Sequence, residues 1–230
     1  MKITQHNNLY QLTRLWAFNS YILKDDDGLT VIDTNLPGSA QGIVDAAVQI
    51  GGAIKRIVIT HAHQDHAASL DGLHALVPDA EVIVSARSGP LLGGDLSPQP
   101  GEPEAKLRGS YITVAAKPTR TVEDGDMIGC LRVIAAPGHT PDHIALLDTR
   151  DNTLIAGDAF QTAMGTAVSG KVVPLFPFPG FATWHKPTAL ITARKLRDLN
   201  PSALAVGHGR LLKSPGGAMD AAITAAERAF

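Results

Sequence analysis

Short apolar runs alternate with turn signals along most of the chain. Tyr21-Ile22-Leu23 and Leu29-Thr30-Val31-Ile32 flank the turn Asp25-Asp26-Asp27-Gly28 and predict a hairpin. From Ser39 to Ile50, Ile43, Ala46, Ala47 and Ile50 recur at helical spacing, and Pro37-Gly38 stops the strand before them. Arg56-Ile57-Val58-Ile59-Thr60 is β-branched and too short for a helix, so it reads as a buried strand. A helix over 65–76 and a strand over 81–84 follow.

Residues 93–110 are rich in Gly, Pro and charge and predict a loop or crossover between two halves. Beyond it the pattern predicts strands at 111–115, 119–122, 131–135, 143–148 and 153–156. A helix at 186–199, a last strand at 203–206 and a C-terminal helix from about Gly217 complete the reading. Strand-rich halves with helices at intervals predict an α+β chain, with two sheets face to face and helices outside.

Composition narrows this picture without redirecting it. Of 230 residues, 44% are apolar and 18% charged, which fits a globular protein forming a single domain over 1–230. A net charge of -2 gives no reason to expect nucleic acid or an anionic membrane as partner, so a small molecule is the expected one. Cys130 is the single cysteine, so no disulfide forms within the chain. No signal-like or bilayer-length apolar stretch is present, and the expected location is the cytoplasm.

The chemistry is concentrated in His61-Ala62-His63-Gln64-Asp65-His66, directly after the strand at 56–60. Where a strand ends, the backbone is free to curl, and closely spaced side chains can converge on one point. Imidazoles and a carboxylate are the donors that zinc prefers. Three histidines and an aspartate within six residues exceed what one tetrahedral ion takes from one segment, so two ions are implied. A capped helix N-terminus would account for Asp65 alone. Three further candidates each end a strand beside a glycine: His139 in Pro137-Gly138-His139-Thr140, Asp158 after Gly157, and His208 between Gly207 and Gly209. One such residue is an ordinary turn residue, but their recurrence at strand ends points to a common site.

Taken in order, these motifs closely resemble the metallo-β-lactamase superfamily, from about residue 18 to 210, with Val31-Ile32-Asp33-Thr34 matching its Asp-bearing strand end. The resemblance implies an αββα sandwich with the metals at one edge of the two sheets. It implies two zinc ions per chain, with iron or manganese as alternatives. His61, His63 and His139 would hold one ion and Asp65, His66 and His208 the other, with Asp158 between them. Asp33 would support the ligands from behind, and His143, placed inside the next strand, reads as a structural neighbour of the site and not as an eighth ligand. A hydroxide bridging the ions would attack an ester, lactone or thioester, and Asp65 would carry the proton to the leaving group.

Within that superfamily the chain is expected to resemble small lactonase-like and glyoxalase II-like hydrolases, not a true β-lactamase, as a monomer or homodimer. Glyoxalase II-like thioesterases share the ligands but add a helical domain, whereas 22 residues follow His208 here. A mononuclear iron enzyme of the persulfide dioxygenase kind is the alternative from another class. The aromatic, proline-rich segment 172–184 brings Phe176, Phe178, Phe181 and Trp184 together. With Phe160 they are candidates for the wall of a substrate pocket, against packing or a dimer contact.

Overall fold

A computed structural model describes all of residues 1–230. The chain forms two compact units, Met1–Asp95 with Tyr111–Val122, and Leu96–Ser110 with Glu123–Phe230.

The first unit carries a seven-stranded sheet in chain order: β1 (Lys2–His6), β2 (Leu9–Arg14), β3 (Phe18–Asp25), β4 (Gly28–Ile32), β5 (Ile54–Val58), β6 (Glu81–Ser85) and β7 (Arg120–Val122). β1 to β4 are antiparallel, as hairpin connections require, and β4 to β7 are parallel. Crossovers carry α1 (Ala40–Ile50), α2 (Gln64–Ala67), α3 (Leu70–Leu76) and α4 (Ser88–Leu92). The expected hairpin at 21–32, the helix from residue 40 and the strand at 81–84 are all present.

Two expectations change here. The single helix over 65–76 is broken between Ala67 and Leu70, because the Ser69 hydroxyl donates to Leu36 O and accepts from the Ser39 N–H. Those bonds tie the break to the loop after β4. The expected strand 111–115 is not a strand; only Tyr111 bridges to His63. The rest is held singly, by Val114 N–H to Leu92 O and by Ala115 and Ala116 N–H to the Asp71 carboxylate.

The second unit has a six-stranded sheet in the order β15-β14-β11-β10-β9-β8. Its strands are β8 (Met127–Ile128), β9 (Leu131–Ala135), β10 (Ile144–Asp148), β11 (Thr153–Ile155), β14 (Ala203–Ala205) and β15 (Leu212–Lys213), and β12 (Phe160–Gln161) with β13 (Ala167–Val168) forms a separate small ribbon. Three helices belong to it: α5 (Phe178–Phe181), α6 (Lys186–Asp198) and α7 (Gly216–Glu227). Ala193 and Leu196 of α6 and Met219 and Ala222 of α7 bury against Leu154, Leu204 and Val206. No helix of the chain is long and apolar enough to cross a membrane.

Strand direction positions the chemistry in both units. β4 and β5 are parallel, so Asp33 and the histidine motif leave the sheet at the same edge. β9 and β11 are both antiparallel to β10, and β14 is parallel to β11. Their carboxyl ends therefore coincide, and the residues just beyond them are His139, Asp158 and His208. Open sheets bind ligands beyond the carboxyl ends of their strands.

Candidate metal centre

In the first unit, His61 lies between bends at Thr60 and Ala62, and His63, on extended backbone, caps the turn of α2, with His66 N–H donating to His63 O at 3.0 Å. Bends followed by a helical turn fold the motif onto itself. The ring centroids of His61 and His63 are 4.9 Å apart, and those of His61 and His66 4.1 Å. Ligand atoms of His61 and His63, of His61 and His66, and of Asp65 and His66 lie within 4.8 Å of each other. His61, His63 and His66 are buried, while the Asp65 side chain retains 28% exposure.

Behind this cluster stands Asp33, at φ 60°, a backbone conformation that short polar residues tolerate. Its Oδ1 accepts from Thr60 N–H at 2.8 Å; its Oδ2 accepts from the Thr60 hydroxyl at 2.8 Å and from His66 Nδ1 at 2.7 Å. Because Thr60 has given its proton to Asp33, its oxygen can only accept from His61 Nδ1, 3.1 Å away. Both imidazoles therefore carry their proton on Nδ1, and Nε2 is the nitrogen with a lone pair.

The second unit repeats this device on His139. The Thr183 hydroxyl donates to Pro179 O and that of Ser169 to Asp158 O. Both oxygens lie 3.2 Å from His139 Nδ1 and must accept its proton, which again leaves Nε2 as the donor atom. A single oxygen of Asp158, Oδ2, is 3.3 Å from His139 Nε2 and 3.1 Å from His208 Nε2. Two ligands each about 2 Å from a tetrahedral ion are about 3.3 Å apart, so these spacings suit donors of shared ions. Asp158 is itself held from behind, its N–H donating to His143 Nε2 at 2.9 Å. His143 precedes β10 and is not inside it as the sequence suggested.

The donor set of each unit fits a borderline divalent ion, with buried imidazoles, carboxylates beside them, and oxygen acceptors behind His61, His66 and His139 that leave Nε2 as their ligand atom. Thr60, Ser169 and Thr183 are the functional residues that sequence reading missed. Nothing distinguishes them from other hydroxyl residues until the fold sets them beside an imidazole.

The glycines of the motifs have steric causes. Gly138, at φ 135°, could not carry a Cβ, which would lie 2.4 Å from the Ala189 backbone at the start of α6. Gly209, at φ 107°, has the same relation to the Ala163 N–H at 2.4 Å.

The aromatic candidates separate. Phe160, expected to face a substrate, has no exposed surface and is a core side chain among Ala159, Val168 and Leu154. Trp184 is nearly buried, its indole N–H donating to Ala105 O at 3.0 Å. Phe176 is also buried, its ring 5.3 Å from that of His208, while Phe178 and Phe181 are exposed.

The model of the metallo-beta-lactamase superfamily matches residues 14–208, and the chain belongs to that superfamily. It is 45% identical to the Bacillus subtilis (strain 168) protein YobT over 99% of this chain and 100% of that one. It is 32% identical to YflN of the same organism, named a probable metallo-hydrolase, over 78% and 74% of the two chains. It is 29% identical to a hydroxyacylglutathione hydrolase of Saccharophagus degradans over 70% of this chain and 53% of that enzyme, so it spans about half of that relative. Among solved structures, the DIM-1 metallo-beta-lactamase superposes with a TM-score of 0.73 at 16% identity, covering 100% of this chain and 98% of that one. A protein solved in a di-iron-bound form gives 0.65 at 23% identity, over 90% and 95%. The expected fold class, an α+β sandwich of two mixed sheets with helices, is the fold of these structures. Membership of this superfamily implies divalent metal binding by a cluster of His and Asp, and the chain carries such clusters.

Proposed function

We propose that the chain holds two divalent ions, zinc first, and hydrolyses an ester, lactone or thioester of a small molecule. The observation that carries the reading is the forced tautomer of His61, His66 and His139, since an imidazole whose Nδ1 proton is fixed by an oxygen acceptor presents Nε2 as a ligand. By the family resemblance, His61, His63 and His139 would hold one ion and Asp65, His66 and His208 the other, with Asp158 as the carboxylate they would share. The short distances from one Asp158 oxygen to His139 and His208 support that shared role.

When bound, such ions lower the pKa of water from about 15.7 towards 7 and polarise a carbonyl. The remaining work falls to the chain. Asp33, Thr60, Ser169, Thr183 and His143 hold the ligands in place, so little reorganisation accompanies the reaction. Water divides across the acyl bond: its hydroxyl joins the acyl carbon, the bond to the leaving oxygen or sulfur breaks, and the proton goes to that atom. Asp65, the most exposed of the proposed ligands, carries the proton. The thioester belongs among the candidate bonds because of the hydroxyacylglutathione hydrolase relative.

Elemental analysis of the purified protein, followed by a panel of esters, lactones and thioesters, tests the reading. Two zinc ions per chain and turnover of at least one of these bond types are expected. A single tightly held iron with no acyl hydrolysis overturns it and favours oxidation of a thiol compound.

A further inference from the structure

We propose that Tyr111 is a positioning residue for the metal ligand His63, holding its imidazole plane by edge-to-face ring packing. The inference rests on the reading of His63 as a ligand and adds a residue that the histidine motif does not contain. An imidazole turns easily about its last side-chain torsion, so a ligand histidine needs a neighbour that fixes the ring. At His63 the Tyr111 ring stands nearly perpendicular, with centroids 4.8 Å apart and planes at 71°. The His61 ring meets His63 in a similar way, at 4.9 Å and 74°. Aromatic pairs favour this arrangement because the positive rim of one ring meets the negative face of the other. Turning the His63 ring would break both contacts.

Tyr111 can hold the ring because its own place is fixed within the first unit. Its backbone bridges antiparallel to that of His63, and Ile112 N–H donates to Ala62 O at 3.4 Å. Further along, Val114 N–H donates to Leu92 O at 3.0 Å. The Asp71 carboxylate of α3 then accepts from Ala115 N–H at 2.9 Å and from Ala116 N–H at 2.8 Å. The segment is thus tied at both ends, which seats the Tyr111 ring against the motif without a strand.

Zinc affinity of the full chain, measured by competition with a chromogenic chelator, tests the proposal in Tyr111→Phe and Tyr111→Leu. The first keeps the ring and removes the hydroxyl; the second keeps apolar bulk and removes the ring. Tyr111→Leu should bind zinc about 2- to 10-fold more weakly, the range of one aromatic pair, while Tyr111→Phe should match the parent. The visible spectrum of the cobalt(II)-loaded protein, which follows ligand geometry, should change in Tyr111→Leu and not in Tyr111→Phe. Equal affinity and spectra in the parent and Tyr111→Leu overturn the proposal, as does a loss in Tyr111→Phe as large as that in Tyr111→Leu. If Tyr111→Leu does not fold, Asp71→Ala releases the far end of the segment and should lower affinity in the same direction. Unchanged affinity and spectrum in that variant overturn the proposal. The two readings fail separately. Metal binding that depends on the Tyr111 ring, without turnover of any acyl bond, sinks the hydrolase and leaves the positioning role. Turnover with equal zinc affinity in the parent and Tyr111→Leu does the reverse.

Discussion

Asp33 and His66, 33 positions apart in the chain, are joined by a buried hydrogen bond of 2.7 Å between the carboxylate Oδ2 and the imidazole Nδ1. The bond exists because β4 and β5 run parallel and end at one edge, with Asp33 N–H donating to Val58 O at 2.8 Å. Through Thr60 the same carboxylate also sets the proton of His61. One side chain thus orients two candidate ligands.

Asp33→Ala should weaken zinc binding about 10- to 100-fold, the usual cost of losing such a support. Competition with a chromogenic chelator measures it. Unchanged affinity would show that His66 and His61 do not depend on Asp33 for their orientation.

His143 supports Asp158 through the backbone and is not proposed as a ligand. His143→Ala leaves the buried Asp158 N–H without its acceptor and should cost about 1–3 kcal/mol of stability, read from chemical denaturation. His143→Gln, which restores an acceptor, should recover part of that loss. Equal stability of both variants and the parent would remove the role.

Gly138→Ala should destabilise the fold by on the order of 3 kcal/mol or more, since its Cβ would meet Ala189 backbone atoms and no flexible side chain can yield. Thermal unfolding of the metal-free variant isolates this steric effect. A shift of less than a degree would mean that the start of α6 moves away freely.

Metal removal should lower stability as well as activity. With zinc at about 1,000 times its Kd, each site adds about 4 kcal/mol, so a chelator should depress Tm by several degrees. In Asp158→Ala the zinc-dependent gain in Tm should shrink and stoichiometry fall below two, because the proposed shared carboxylate is gone. Full occupancy in that variant would argue that Asp158 is not shared.

Most of the strands of the sheet centres were legible because their side chains are buried and β-branched, as in Ile57-Val58 and Ile83-Val84. β1 was not, since an edge strand of Lys2, Thr4, Gln5 and His6 carries little apolar signal. The break in the helix at Ser69 escaped for a related reason. Its cause is the partner loop at Leu36–Ser39, remote in the chain.

By itself, the sequence determined the donor types and their place after strands, because ligand chemistry depends on residue identity and local spacing. Only the tertiary structure decided which nitrogen of His61, His66 and His139 bears the proton. That depends on Asp33, Thr60, Ser169 and Thr183, which arrive from other segments. It also separated the aromatics, burying Phe160 in the core and leaving Phe178 in water. Hydrophobicity is a property of the residue, whereas exposure depends on what the rest of the chain packs against it.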